Sequence, residues 1–289
     1  MYLSFYNLRE FPFSITCDEK FFYESAVHAE ALANMMYTVQ QRKGMVLITG
    51  EVGAGKTFVA NLLGSRLGVG CLAVGMQNPP QSGKQLLRAL AGGIGMNVPA
   101  NVDKLSLIEA LEQQLGRLQY RGRLVALILD EAQDLTPAAL EEIRLLWNWE
   151  QSGQRLVQVV LIGQPEIRHK LHEPKWEPLR QRVVLSYHLG PLAAADARAY
   201  IAHRLKVASD DDGCTAAFAP DALEDIYAAT NGIPRLINIL CDNALLVGYA
   251  RSVRCIDRSI VAEVLHDMTC WGLRAALPRT QPGTVSVGD

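Results

Sequence analysis

The sequence predicts an α/β protein, a mainly parallel five-stranded sheet sandwiched by helices, followed by a small all-helical domain. Three observations predict it. Between residues 45 and 191, short apolar runs alternate with segments of helical period, the pattern of successive βαβ units. A glycine-rich turn falls between the first of these runs and the helix behind it. After Pro191 the strand-like runs stop, while helical periodicity continues to about residue 265.

Taken in order, the first 44 residues hold an aromatic stretch over 11–22 and then an amphipathic helix, with Ser25 as its expected N-cap and Gly44 as its expected stop. This segment, 1–44, is expected to lead as one piece into the core. Strands are expected over 45–49, 71–75, 124–129, 157–162 and 183–187, each almost continuously apolar, as a strand covered on both faces requires. Crossover helices are expected after Lys56, after Gly83, over 104–119 and over 137–149, where Thr136 and Pro137 read as N-cap and first-turn residue. Trp147 and Trp149 stand at alternate positions and cannot share one helical stripe. One is expected in the core and the other at an interface. The α/β domain should span 45–191 and the helical domain 192–270, with helices over 193–207, 220–230, 234–250 and 257–265. Residues 271–289 are proline- and glycine-containing without apolar period, so a disordered tail is expected.

Composition bounds the function. With 289 residues, 49% hydrophobic and 20% charged, there is enough apolar material for two modest cores. A formal net charge of −2 gives no global field toward nucleic acid or an anionic membrane, so any such contact must be local. Six cysteines occur without a C-x-x-C pair or a His/Cys cluster, which argues against zinc and against a disulfide framework and fits a reducing compartment. The N-terminus lacks the pattern of a secretory signal, and no uncharged apolar run approaches the ~18 residues of a membrane-spanning helix. A cytoplasmic location without a transmembrane segment is the expectation.

The glycine-rich turn reads Gly50-Glu51-Val52-Gly53-Ala54-Gly55-Lys56-Thr57, the G-x-x-x-x-G-K-[ST] pattern in its required place between a strand and a helix. Glycines let consecutive amides point at a phosphate, and the following helix adds the positive end of its dipole. Lys56 would reach the β- and γ-phosphates, and the Thr57 hydroxyl is a hard oxygen suited to Mg²⁺. A chance match in a chain this long is on the order of one in a hundred. The strand 124–129 ends abruptly in Asp130 and Glu131, at the sheet edge where ligands bind in such folds. Asp130 is expected to hold the metal through its water shell and Glu131 to serve as general base toward an attacking water.

With Phe5-Tyr6-Asn7-Leu8 and Pro12-Phe13 near the start, Asp130-Glu131-Ala132-Gln133-Asp134-Leu135, Leu179-Arg180-Gln181-Arg182 and Gly232-Ile233-Pro234-Arg235, the chain resembles the P-loop ATPases of the AAA+ class. Among them it is most similar to the general secretion pathway protein A type, over about residues 1–268. The resemblance implies ATP and Mg²⁺ as ligands, held by residues 50–58 with Phe58 included, and by Asp130. It implies that Gln164, after the fourth strand, is the sensor-1 residue and that Arg235, in the first turn of a lid helix, is sensor 2. It places an arginine finger, acting in trans within a homo-oligomer, at Arg180 or Arg182, with Arg182 favoured. His28 matches a position that lines the adenine pocket in the family, although a hydrogen-bonded structural histidine is the preferred reading.

Secretion ATPases of this type usually continue into a membrane span and a cell-wall-binding region, whereas the present sequence ends at Asp289. A stand-alone relative is therefore expected, recruited by partners to the inner membrane beside an envelope, secretion or polysaccharide-export machine. The alternative is a DNA-binding ATPase of the transposition-regulator kind, which needs a local basic surface. Arg117, Arg121 and Arg123, with Lys84 and Arg88, are its candidates.

Overall fold

The computed structural model describes residues 2–15, 18–209 and 214–270, and the expected tail over 271–289 lies outside them. The chain divides into two compact units, Cys17–Gly190 and a second made of Met1–Thr16 with Pro191–Asp289. The expected single segment 1–44 therefore splits. Its first part belongs with the helical unit, and its helix belongs with the sheet.

In the α/β unit the strands are β1 (Met45–Gly50), β2 (Cys71–Met76), β3 (Leu124–Leu129), a short hairpin of β4 (Glu150–Gln151) and β5 (Gln154–Arg155), then β6 (Gln158–Gly163) and β7 (Val183–Leu189). Five of them form one sheet in the order β2-β3-β6-β1-β7, every pairing parallel. Register follows the side-chain alternation of a strand. Met45, Leu47, Val125, Leu127, Leu129, Val159 and Leu161 face one core, which the helices Gly83–Gly93, Lys104–Tyr120 and Pro137–Leu146 cover. Val46, Ile48, Ala126, Ile128, Val160 and Ile162 face the other, under the helices Ala26–Gln40 and Lys56–Arg66. Burial on both faces is why these runs are continuously apolar. Parallel pairing also gathers every strand exit on one edge, with Gly50, Asp130 and Gln164 among the residues placed there.

Local signals differ from expectation in three places. Thr136 caps Pro137–Leu146 by accepting from the Ala139 amide at 3.2 Å, as the sequence predicts. Ser25 stands at the N-cap position as expected, but its side chain makes no cap bond; its hydroxyl lies 2.6 Å from His28 Nδ1 instead. That helix ends at Gln40, with Arg42 in the left-handed region (φ 52°), ahead of Gly44. Trp147 is buried and Trp149 packs half-buried against the same core, where one of the two was expected at an interface.

The helical unit contains the helices Ala194–Ala208, Pro220–Thr230, Pro234–Ala250 and Arg258–Cys270, plus two two-residue strands, β8 (Ala217–Phe218) and β9 (Cys255–Ile256), too short to register in a sequence pattern. The N-terminal segment is sewn into it by buried polar groups. Tyr6, fully buried, donates to the carbonyls of Leu245 (3.1 Å) and Val253 (3.0 Å). Tyr2 donates to Asp242. Arg204 donates to the carbonyls of Pro12 and Ser14 and to the Tyr200 hydroxyl, which donates in turn to Asn238 at 2.8 Å. Gly232 turns the chain into the Pro234 helix with φ 73°, and its carbonyl accepts from the Leu192 amide at 2.9 Å.

Candidate functional site

The loop after β1 is shaped by Gly53 (φ 84°) and Gly55 (φ 93°), both left-handed, a region that glycine enters without a β-carbon clash. A β-carbon on Gly55 would also stand 3.0 Å from His28 Nε2. His28 is the reason this loop holds its form. One ring nitrogen lies against Ser25 and the other 3.1 Å from the Ala54 carbonyl, so the buried imidazole ties the helix Ala26–Gln40 to the turn. Phe58, expected in the nucleotide cradle, stacks on Phe22 with ring centres 5.1 Å apart.

Lys56, the first residue of the following helix, is buried. Its ammonium donates to the carbonyls of Gly50 (2.8 Å) and Glu51 (2.9 Å), curling over the loop. Burial pulls its pKa below the ordinary lysine value, against the opposing pull of Glu131, Asp130 and Glu51. A cation held this way, dehydrated and with only neutral carbonyls to bond, is poised to gain from an anionic ligand.

Beside it, Thr57 Oγ1 donates to Asp130 Oδ2 at 2.6 Å. Two hard oxygens, a hydroxyl and a carboxylate, thus stand together at the sheet edge. This donor set fits Mg²⁺, which takes few protein oxygens and completes its shell with water and substrate phosphates. The other Asp130 oxygen accepts the Glu131 amide at 2.9 Å, and Glu131 itself is left-handed (φ 49°).

Sequence reasoning missed the residue that joins these parts. Gln133 Nε2 donates to Glu131 Oε2 at 2.7 Å and to Asp134 at 3.2 Å, while its Oε1 accepts the Gln164 amide at 2.9 Å. One side-chain amide therefore links the carboxylate after β3 to the residue after β6. Lys170 fixes the backbone beneath it, donating to the carbonyls of Gln133 and Leu135. The signal was adjacency: Gln133 stands two residues beyond Glu131, on a turn between neighbouring strands.

The remaining expected residues fall elsewhere. Arg235 is the second residue of the Pro234 helix, exposed, in the helical unit. Arg182, favoured on sequence for the trans role, is engaged within its own chain, donating to the Pro178 carbonyl and to Asn148 Oδ1. Arg180 is exposed, with no hydrogen bond or ion pair among the described residues. The five candidate cations for DNA do not all come together. Lys84 begins a helix that leaves the strand-exit edge, Arg88 is spent on the carbonyls of Val98, Pro99 and Ala100, and the three others precede β3 at the opposite edge.

The fold and the loop are those of the AAA class of P-loop folds. Residues 39–171 match the AAA domain family. The particular likeness is to General secretion pathway protein A of Aeromonas hydrophila, 40% identical over 286 residues, covering 96% of this chain and 52% of that protein. The chain spans about half the length of that relative. Among solved structures it resembles the Aeropyrum pernix ORC2 protein in its ADPNP-ADP complexes (TM-score 0.67, 17% identity, 86% of this chain and 71% of that one). It also resembles the Thermotoga maritima RuvB Holliday junction branch migration motor (TM-score 0.56, 18% identity, 90% and 74%). Likeness at that identity speaks for the fold alone. No helix among the described residues is long and apolar enough to cross a membrane.

Proposed function

We propose that this chain binds ATP with Mg²⁺ and hydrolyses it as a switch or motor, working in the cytoplasm beside an envelope, secretion or polysaccharide-export machine. The observation that carries the reading is the buried Lys56 ammonium, curled over its own loop and adjacent to the Thr57–Asp130 pair. Lys56 and the loop amides would bind the β- and γ-phosphates. Thr57 and Asp130 would hold the magnesium, which supplies charge neutralisation at the phosphates when bound. Glu131, steadied by Gln133, takes a proton from the attacking water as the bond from its oxygen to the γ-phosphorus forms and the bond to the ADP oxygen breaks. Gln164 would orient that water, and Arg235 would carry lid closure to the nucleotide.

For the cation supplied by a neighbouring subunit, Arg180 suits the role better than Arg182, since its guanidinium has no bonds to break first. The likeness to a secretion-pathway protein supports the choice of machine. Lys84 and Arg88 lie on a helix apart from Arg117, Arg121 and Arg123, which weakens the DNA-assembly alternative.

The test is equilibrium binding of a fluorescent ATP analogue alongside phosphate release. Lys56→Ala should lose at least a hundredfold in affinity. Glu131→Gln should bind normally and turn over about 10²–10⁴ times more slowly. Normal affinity in Lys56→Ala would overturn the reading.

A further inference from the structure

Parallel pairing puts every segment leading into the sheet on the edge opposite the phosphate loop. At the β2–β3 end of that edge two turns project. The turn before β2 follows Arg66 and carries Val69; the turn before β3 follows Arg117 and carries Tyr120, Arg121 and Arg123. A backbone hydrogen bond from the Leu124 amide to the Gly70 carbonyl, 2.9 Å, ties the two together. A β-carbon added at Gly68, Gly70 or Gly122 would meet nothing within 4 Å, so both turns stand clear of the body.

Their side chains are of two kinds. Val69 and Tyr120 are 92% and 93% exposed, the most exposed of the large hydrophobic residues described. Around them Arg117, Arg121 and Arg123 are exposed, and their side chains have no hydrogen bond or ion pair among the described residues. Arg66 shares a surface pair with Glu24 at 3.5 Å, the weakest kind of ion pair. Neither 66–70 nor 117–123 contains a carboxylate. In a chain of net charge −2, this corner concentrates unneutralised cations around two apolar tips.

A surface that satisfies both kinds at once must offer phosphate and apolar depth together. The headgroup layer of an anionic bilayer does: arginines pair with lipid phosphates while tyrosine and aliphatic tips sink among the acyl ends. Duplex nucleic acid satisfies only the arginines, calls for cations spread along a backbone track, and leaves Val69 in water. We propose that this corner of the α/β unit docks on anionic lipid, with Val69 and Tyr120 entering the headgroup region and Arg117, Arg121 and Arg123 holding phosphates. The docking face lies at the other edge from the proposed nucleotide site and does not depend on that reading.

Co-sedimentation of the full chain with vesicles tests it, comparing phosphatidylcholine alone with phosphatidylcholine containing one-third phosphatidylglycerol. The chain should partition onto the anionic vesicles and release as salt is raised. Replacing Arg117, Arg121 and Arg123 together by Gln should weaken partitioning on the order of a hundredfold. Val69→Ser with Tyr120→Ser, at unchanged charge, should weaken it about tenfold. All these positions are exposed, so both variants should keep wild-type melting temperature and ATP-analogue affinity, which separates this test from failure of the nucleotide site. Equal binding to the two vesicle types, or undiminished binding by the triple variant, would overturn the proposal. So would duplex DNA bound more tightly than anionic vesicles at equal salt, with the serine pair without effect; that outcome assigns the patch to nucleic acid.

Discussion

If Gln133 positions the base rather than merely filling a turn, then replacing it should slow turnover without loosening nucleotide. Gln133→Leu keeps the side chain's bulk and removes three hydrogen bonds, of which two matter here: 2.7 Å to the Glu131 carboxylate and 2.9 Å from the Gln164 amide. A bond to a charged group contributes about 1.5–3 kcal/mol and a neutral one about 0.5–1.5 kcal/mol. With the lower ends added and charged to the barrier, ~2 kcal/mol corresponds to roughly a thirtyfold fall in kcat. Affinity for an ATP analogue should stay within about threefold, because Gln133 bonds no atom of the phosphate loop. Gln133→Glu sharpens the test. It sets a second carboxylate against Glu131, like charges disfavour ionising both, and the acid limb of the kcat–pH profile moves upward. A structural role alone would lower the melting temperature and leave the pH profile in place. Phosphate release by Gln133→Leu within twofold of wild type, with the protein folded, would refute the assignment.

Three further outcomes follow from the structure. Arg180→Ala should cut turnover by about 10³ with an unchanged melting temperature, whereas Arg182→Ala, losing bonds to Pro178 and Asn148, should cost about 1–2 kcal/mol in a urea melt. Burial pushes the Tyr6 hydroxyl up to about 12. A raised folded-state value means the stability is intact below about pH 10 and drains away as pH rises toward 12, so urea midpoints should fall over that range. Tyr6→Phe should flatten that limb and cost about 1–3 kcal/mol at neutral pH, leaving the alkaline effect of Tyr2, raised by burial and Asp242. Glu131→Gly should raise the melting temperature of the α/β unit by about 2–4 °C while abolishing phosphate release; a drop in both would show that its left-handed backbone is not strained.

What was legible in the sequence were features written within one strand or one turn. The five sheet strands, the loop from Gly50 to Thr57, the Asp130–Glu131 step and the Thr136 cap each depend on neighbours within a few positions, and local pattern carries such information. What escaped depends on pairings across the fold. Gln133 meets Gln164 across 31 residues because β3 and β6 are adjacent, and nothing local announces that pairing. Tyr6 meets Leu245 and Val253 across some 240 residues, so the aromatic start reads as a leader to the core when it is a component of the helical unit. Ser25 takes the N-cap position, as serine before a helix usually does, but His28 competes for the hydroxyl and wins. Arg180 and Arg182 are indistinguishable as letters, and only their bonds separate them.

The backbone at Glu131 links stability to chemistry. A left-handed conformation in a residue other than glycine costs about 1–2 kcal/mol, and it persists only where surroundings over-determine it. Here they do: Asp130 accepts the Glu131 amide, the Asp134 amide donates to the Glu131 carbonyl at 2.9 Å, and Gln133 holds its carboxylate. The turn satisfies the backbone groups around Glu131 locally, so that Asp130 and Glu131, consecutive in sequence, need not alternate to opposite faces as they would in a continuing strand. Asp130 is thereby left against Thr57 while Glu131 points along the edge toward Gln133 and the β6 exit. Strain at one residue is what lets two adjacent carboxylates stand at the same edge facing different neighbours, Asp130 toward Thr57 and Glu131 toward Gln133.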